Sequence, residues 1–206
     1  NAHRNKKPSS LKIIFKDKTM QAMFIFRLLN AFGISALMGF LPLLAERINI
    51  TVFQIGIIVT SNLLISSIFQ RYFGILADKS DKVAMSVAGS IMMLIALALM
   101  PLANGFYPLL LFNILMGFGS AVSIPAGSAI TAQLGRKLGM GSVMGLFNTA
   151  FGIGGGIGPI IAGLIMVAFG LATVFVLSAI IVLIVTIIFY YLMKNNIEYK
   201  KLMQEA

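Results

Sequence analysis

Seven polar side chains interrupt long apolar runs of this 206-residue chain: Arg27 and Asn30 in the first run, Asn62, Gln70 and Arg71 in the second, Asn113 in the fourth and Asn148 in the fifth. Amides donate and accept hydrogen bonds, and a guanidinium offers five N–H donors and stays charged in proteins. Such a set can recognise a solute or join neighbouring segments. It is poorly suited to making or breaking bonds, because the usual acid–base groups and metal ligands are missing from the runs. The chain has no Cys and one His, His3, and its acidic residues (Asp17, Glu46, Asp78, Asp81, Glu198, Glu205) lie in tails, loops or segment ends. An enzyme is therefore disfavoured, and no cofactor or metal is expected.

The segments that must position these groups follow from composition. Hydrophobic residues make up 59% of the chain and charged residues 11%, with a mean hydropathy of +0.97. Soluble domains hold about 45–50% apolar and about 25% charged residues, so the surrounding solvent must be largely hydrocarbon. Six apolar segments reach the roughly 20 residues that a spanning helix needs: Met20–Ala45, Val52–Leu76, Ala84–Ala103, Tyr107–Gln133, Ser142–Ala168 and Leu171–Met193. The expected fold class is an all-α polytopic bundle of six transmembrane helices over residues 20–193. It is flanked by a basic tail, 1–19, with a short amphipathic piece around Leu11–Phe15, and by a C-terminal tail, 194–206.

Lys and Arg are distributed unevenly between the connections. They crowd the N-terminal tail, the second connection (Lys79, Lys82), the fourth (Arg136, Lys137) and the C-terminal tail, whereas Arg47 is alone in the odd-numbered connections. This alternation is the positive-inside pattern and places both termini in the cytoplasm of a multi-pass protein of the cell membrane. The net charge of +10 thus reports topology and contact with anionic lipid heads of the bilayer, and no nucleic-acid partner is expected.

Polar residues in hydrocarbon usually face other helices or a watery cavity. The third and sixth segments carry only small hydroxyls and Tyr beyond aliphatics and Met, and are expected to face lipid. The other four are expected to line or flank a polar interior. At about 100° per residue, Arg27, Asn30, Ala31, Ile34 and Met38 share one face, Asn62, Ser66 and Phe69 another, and Asn113, Gly117, Ser120, Gly127 and Thr131 a third. Arg27, Asn30, Asn62, Gln70, Asn113 and Asn148 are the candidate cavity residues, with interhelical hydrogen bonding as the alternative use of each amide. On the fifth segment, Gly145, Asn148, Gly152, Gly156, Pro159 and Gly163 form a narrow stripe. Small residues let a neighbouring backbone approach. Gly152, Gly156, Gly158 and Gly163 are accordingly expected to pack against another helix, and Pro159 to mark a bend that takes part in gating, with a purely structural glycine zipper as the alternative.

The second connection, Gly74-x-Leu76-Ala77-Asp78-Lys79-x-x-Lys82, resembles the loop signature G-x-L-A-D-[RK]-x-G-[RK]-[RK] of the major facilitator superfamily, departing from it at Asp81 and Val83. Gly158-Pro159-x-x-x-Gly163 resembles the G-x-x-x-G-P-x-x-G-G helix signature of that family's antiporters, with Ala162 in place of a glycine. The resemblance runs from about Met20 to Met193. It implies half of a twelve-helix fold, the C-terminal half, with a 3+3 inverted repeat, working with a missing N-terminal half or a second six-helix chain. It implies alternating-access transport of a small organic solute, with efflux favoured and sugar or metabolite uptake as the other direction. Gly74, Asp78, Lys79 and Lys82 would form a gating loop, Asp78 at the cytoplasmic end of the second span, close to the start of the fifth, and the lysines solvated. Protons are a candidate coupling ion, whose carboxylate would come from the missing half. The competing reading is a non-transporting membrane module that only assembles with partners.

The topology can be checked directly, because the chain has no native cysteine. Single cysteines at Ser80 and Arg136 should react with an impermeant maleimide only from the cytoplasmic side, and one at Asn104 only from outside. Labelling of position 80 from outside would reverse the orientation.

Overall fold

The computed structural model describes residues 11–196. The basic tail before residue 11 and the C-terminal tail after Asn196 lie outside the described residues. The described chain is all helical: α1 (Leu11–Lys16), α2 (Lys18–Arg47), α3 (Val52–Lys79), α4 (Lys82–Leu99) continued by a 3₁₀ turn (Met100–Leu102), α5 (Phe106–Leu138), α6 (Met140–Phe169) and α7 (Leu171–Lys194). Six of these, α2 to α7, are long and apolar enough to cross a membrane. The 30 residues of α2 and of α6 correspond to about 45 Å at 1.5 Å per residue, enough for the hydrocarbon and both interfaces. The helices run past the apolar segments by up to about a turn and a half, into basic last turns such as Lys79 on α3 and Arg136 and Lys137 on α5. Cations there complement the helix C-terminus.

Local chemistry fixes the ends. Asp17 caps α2, its carboxylate accepting from the Thr19 and Met20 amides at 2.8 and 3.1 Å. Thr51 and Gln54 form a capping box on α3. Helices α5 and α6 are separated by Gly139 alone, and α6 and α7 by Gly170 alone, with φ of +111° and +87°. A side chain is strained in that left-handed region, so glycine permits these one-residue reversals.

Packing pairs the first three spans with the last three. Helix α2 packs on α6 and α7, α5 packs on α3 and α4, and α4 meets α7. The first helix of each triplet is thus held by the second and third of the other. Three crossings reverse the chain's sense, so the repeat is inverted. Apolar side chains form two cores. One holds Leu37, Leu41, Met100, Leu109 and Phe175, away from the basic helix ends. The other, near those ends, holds Ile14 of α1, Met23, Phe26, Leu134, Phe147 and Phe189, with Phe26 and Phe189 stacked at 4.2 Å.

Burial is uneven among the six helices. The most apolar stretch of α3 is 11% buried and that of α6 22%, whereas α4 and α7, expected to be outermost, are each 44% buried. Within these six helices α4 and α7 pack behind α5 and α2, and α3 and α6 are the flanks.

Within these six helices only part of the expected glycine stripe is in contact. Gly145, Gly152 and Gly156 have nothing within 4 Å of where a Cβ would stand. The contact is made by the neighbouring stripe. A Cβ on Gly154 would fall on the Leu28 carbonyl of α2, and one on Gly158 would lie 3.2–3.3 Å from Ser35 and Phe32. Gly163 faces Phe40 at an ordinary 3.9 Å. Helix α6 runs unbroken through Pro159, which lacks an N–H and so leaves the Gly155 carbonyl without its helical donor. The signature residue Gly158 belongs to the packed face, and Gly154 stands one turn before it. Gly89 of α4 and Gly119 of α5 meet in the same way, a Cβ on either lying 2.5–2.7 Å from the other's carbonyl.

Gly154→Leu should therefore lower stability by about 3 kcal/mol or more, since no neighbouring side chain can yield to relieve the overlap with backbone. Gly156→Leu should leave the six-helix fold unchanged. Thermal denaturation of the two variants in detergent compares them, and equal losses would contradict the packing.

Candidate functional site: a polar recess between two cores

Polar groups gather where the two apolar cores meet. Arg27 and Asn30 sit one turn apart on α2, Ser123 on α5 and Phe147 on α6. Phe26, Ile34, Met93 and Ile124 close the recess, whose volume of about 10 Å³ is enough for one water molecule. Asn30 is 5% exposed. Its Nδ2 donates to the Phe26 carbonyl at 2.8 Å, while its Oδ1 has no partner. The Ser123 hydroxyl stands 3.4 Å from that of Ser90 on α4.

The Arg27 guanidinium lies against two rings of α6, its Cζ 5.0 Å from the centre of Phe147 and 4.5 Å from that of Phe151. Each contact contributes about 0.5–2 kcal/mol, more as water is excluded. Neither supplies a hydrogen-bond acceptor, and the buried Nε of Arg27 is unpartnered. Buried polar atoms are normally satisfied. The recess therefore holds an unused donor and an unused acceptor, on Arg27 and Asn30.

The remaining candidates separate from this point. Asn62 and Asn113 come together where α3 crosses α5: the Asn62 amide donates to the Asn113 carbonyl at 2.8 Å, and the Asn113 amide to the Leu109 carbonyl at 3.0 Å. Gly117, where a Cβ would be 2.8 Å from the Asn62 carbonyl, permits the approach. Asn62 thus serves as an interhelical tie, and Asn113 keeps a free Oδ1. Half-buried Gln70 donates to Ser66 on its own helix at 3.0 Å. Asn148 is exposed on α6, away from the recess. Ser123, Phe147 and Phe151 were not legible as site residues. The phenylalanines are one turn apart, but only the α2–α6 crossing brings Arg27 against them.

The expected gating loop is mostly helical: Gly74, Asp78 and Lys79 belong to the last turns of α3 and Lys82 opens α4, so only Ser80 and Asp81 link the two helices. Gly74 packs on Pro125 of α5 at an ordinary 3.9 Å. Asp78 and Lys79 are exposed, and among the described residues Asp78 accepts no hydrogen bond from the start of α6. Its neighbour Asp81 caps α4 instead, accepting from Val83 and Ala84 at 2.8 and 3.1 Å. Lys82, expected to be solvated, is only 4% exposed. Asp81→Ala should cost about 1 kcal/mol as a lost N-cap, and Asp78→Ala should leave the stability of the six helices unchanged. Thermal denaturation of both reads the difference.

Comparison with known proteins places this geometry in a family. A family model described as Major Facilitator Superfamily matches residues 23–203. An uncharacterized MFS-type transporter of Methanocaldococcus jannaschii is 27% identical over 175 residues, covering 85% of this chain and 45% of that protein. The multidrug resistance protein MdtG of Salmonella choleraesuis is 25% identical over 194 residues, 92% of this chain and 48% of its own. The fosmidomycin resistance protein of Escherichia coli is 32% identical over 168 residues, 80% and 41% respectively. The chain thus spans a little under half the length of the relatives it matches. With the family model matching from the first span past the end of the last, and six apolar helices paired as an inverted repeat, the chain belongs to the Major Facilitator Superfamily.

Proposed function

We propose that these six helices are one half, the C-terminal half, of a carrier that exports a small organic solute across the plasma membrane by alternating access, with both termini in the cytoplasm. The observation that carries this reading is the pair of unused polar groups, on Arg27 and Asn30, inside a spanning helix of a chain of this family. Hydrocarbon penalises such groups, so their presence there suits a midplane solute site. Export rather than uptake is favoured because relatives carry the names multidrug resistance and fosmidomycin resistance proteins.

A second six-helix bundle completes the carrier. Its place is on the flanks formed by α3 and α6, which expose Leu63, Leu64, Ile68, Ile160 and Leu164 together with Gly152 and Gly156, whose Cβ positions are open. The open stripe gives that bundle a close approach, and exposed Asp78 is then free to latch onto it. Asn148 and the free Oδ1 of Asn113 are further hydrogen-bonding groups for the shared cavity. A coupling carboxylate, where protons drive transport, comes from the second bundle, because the described spans place none at mid-depth.

Expression of the full-length protein in an efflux-deficient bacterium should lower accumulation of at least one compound in a panel of small antibiotics that includes fosmidomycin, and a protonophore should restore it. Unchanged accumulation across the panel, together with no counterflow in proteoliposomes, would favour a non-transporting module. In the same assay Asp78→Asn should reduce export about tenfold, the equivalent of about 1.4 kcal/mol, with normal membrane insertion. Full export by that variant would remove the latch.

A further inference from the structure

We infer that α1 is a lipid-binding foot, with Phe15 set among the first acyl carbons and Lys12, Lys16 and Lys18 on the phosphates of anionic phospholipids. This surface lies outside the recess and does not depend on the carrier reading above. The six residues of α1 are too few to hold a helix in water unaided. Ile14 supplies the support, fully buried in the core that contains Met20, Val143 and Met193. The Phe15 carbonyl accepts from Gln21 Nε2 at 2.9 Å, and the Phe15 ring meets that of Phe24 edge-on at 5.2 Å. At the same corner the end of α7 is fastened to the start of α2, Asn196 donating to the Thr19 hydroxyl at 2.9 Å.

The neighbours of α2 decide which way this foot faces. At about 100° per residue, Leu28 points to Gly154 of α6, Met23 to Gly127 of α5 and Phe26 to Phe189 of α7. Gln21 and Ile25 fall between the α6 and α7 directions and are exposed. Gln21 thus seats α1 on the outer side of the bundle. The open Gly152 and Gly156, where the second bundle is proposed to sit, are on the opposite side of α6 from Gly154.

Depth and charge then name the partner. Helix α2 is about 45 Å long, about 15 Å more than the hydrocarbon core, so about 7 Å projects at each end. Phe24, six residues after Lys18, stands about 9 Å from the helix start and so at the hydrocarbon edge. Phe15, whose ring touches it, is 44% exposed at that level. Lys12 and Lys16 lie one turn apart on the side of α1 opposite Ile14, and both are exposed, as is Lys18. Lys194 at the end of α7, its Nζ 5.4 Å over the Tyr190 ring, adds a fourth cation. Asp17, the carboxylate of this stretch, is engaged in capping α2. An aromatic at the acyl boundary with lysines beside it suits a helix lying in the interface. Each lysine near an anionic surface strengthens attraction about fivefold.

Fluorescence quenching tests the site, because this chain has no Trp. Phe15→Trp is made in the full-length protein, with any Trp of the remaining half replaced by Phe. It is reconstituted in phosphatidylcholine vesicles holding a small fraction of chain-brominated phosphatidylglycerol or of chain-brominated phosphatidylcholine. Both lipids should quench, the anionic one at a fraction at least about fivefold lower. Lys12→Gln combined with Lys16→Gln should remove most of that preference, with quenching by the zwitterionic lipid and the thermal denaturation midpoint unchanged. Raised salt should weaken the preference in the same way. The comparison of the two lipids needs no lysine variant. No quenching by either lipid would mean that protein or water covers Phe15, and equal quenching by both would leave an apolar contact without a headgroup site. Either result overturns the inference, as does a preference that survives loss of both lysines.

Discussion

In hydrocarbon a backbone N–H or carbonyl without a partner costs several kcal/mol, and no water is present to supply one. That constraint explains why the described chain is helical almost throughout, with links reduced to single glycines at Gly139 and Gly170. It also changes what holds helices together. Lipid tails are as apolar as leucine, so association depends on close packing and on a few interhelical hydrogen bonds. Gly154 against Leu28, Gly89 against Gly119 and Gly117 against Asn62 supply the first. The Asn62–Asn113 tie supplies the second.

The same constraint gives the polar groups of the recess their meaning. Between two dry cores, an arginine held by two phenyl rings and an asparagine with a free oxygen are expensive features that contribute little to folding. Asn62, by contrast, donates its amide to a structural tie between α3 and α5. Two amides that look alike in sequence thus differ in role according to whether a neighbouring helix meets their hydrogen-bonding needs.

The uneven burial of the spans connects architecture to function. Helices α2 and α5 are held on several sides, and α4 and α7 close the back of the bundle, but α3 and α6 each present an apolar flank. In the carrier proposed above, a second bundle would meet this apolar flank. Small residues such as Gly152 and Gly156 suit a sliding contact, because their open face has no side chain to interlock.

The sequence by itself determined the membrane class, the number of spans and the family resemblance, because hydropathy and charge asymmetry act locally and each spanning helix satisfies its own backbone. It also put Arg27 and Asn30 on one helical face, since that depends only on the 3.6-residue period. Tertiary structure alone decided which glycine stripe of α6 packs within these six helices. Gly152 and Gly154 are chemically identical, and only the line along which α6 crosses α2 separates open space from the Leu28 carbonyl. It likewise decided that α4 and α7 are more buried than α3 and α6, and that Phe147 and Phe151 hold Arg27. Periodicity fixes a residue's angle around its own helix. Which neighbour stands at that angle depends on all the helices packing together.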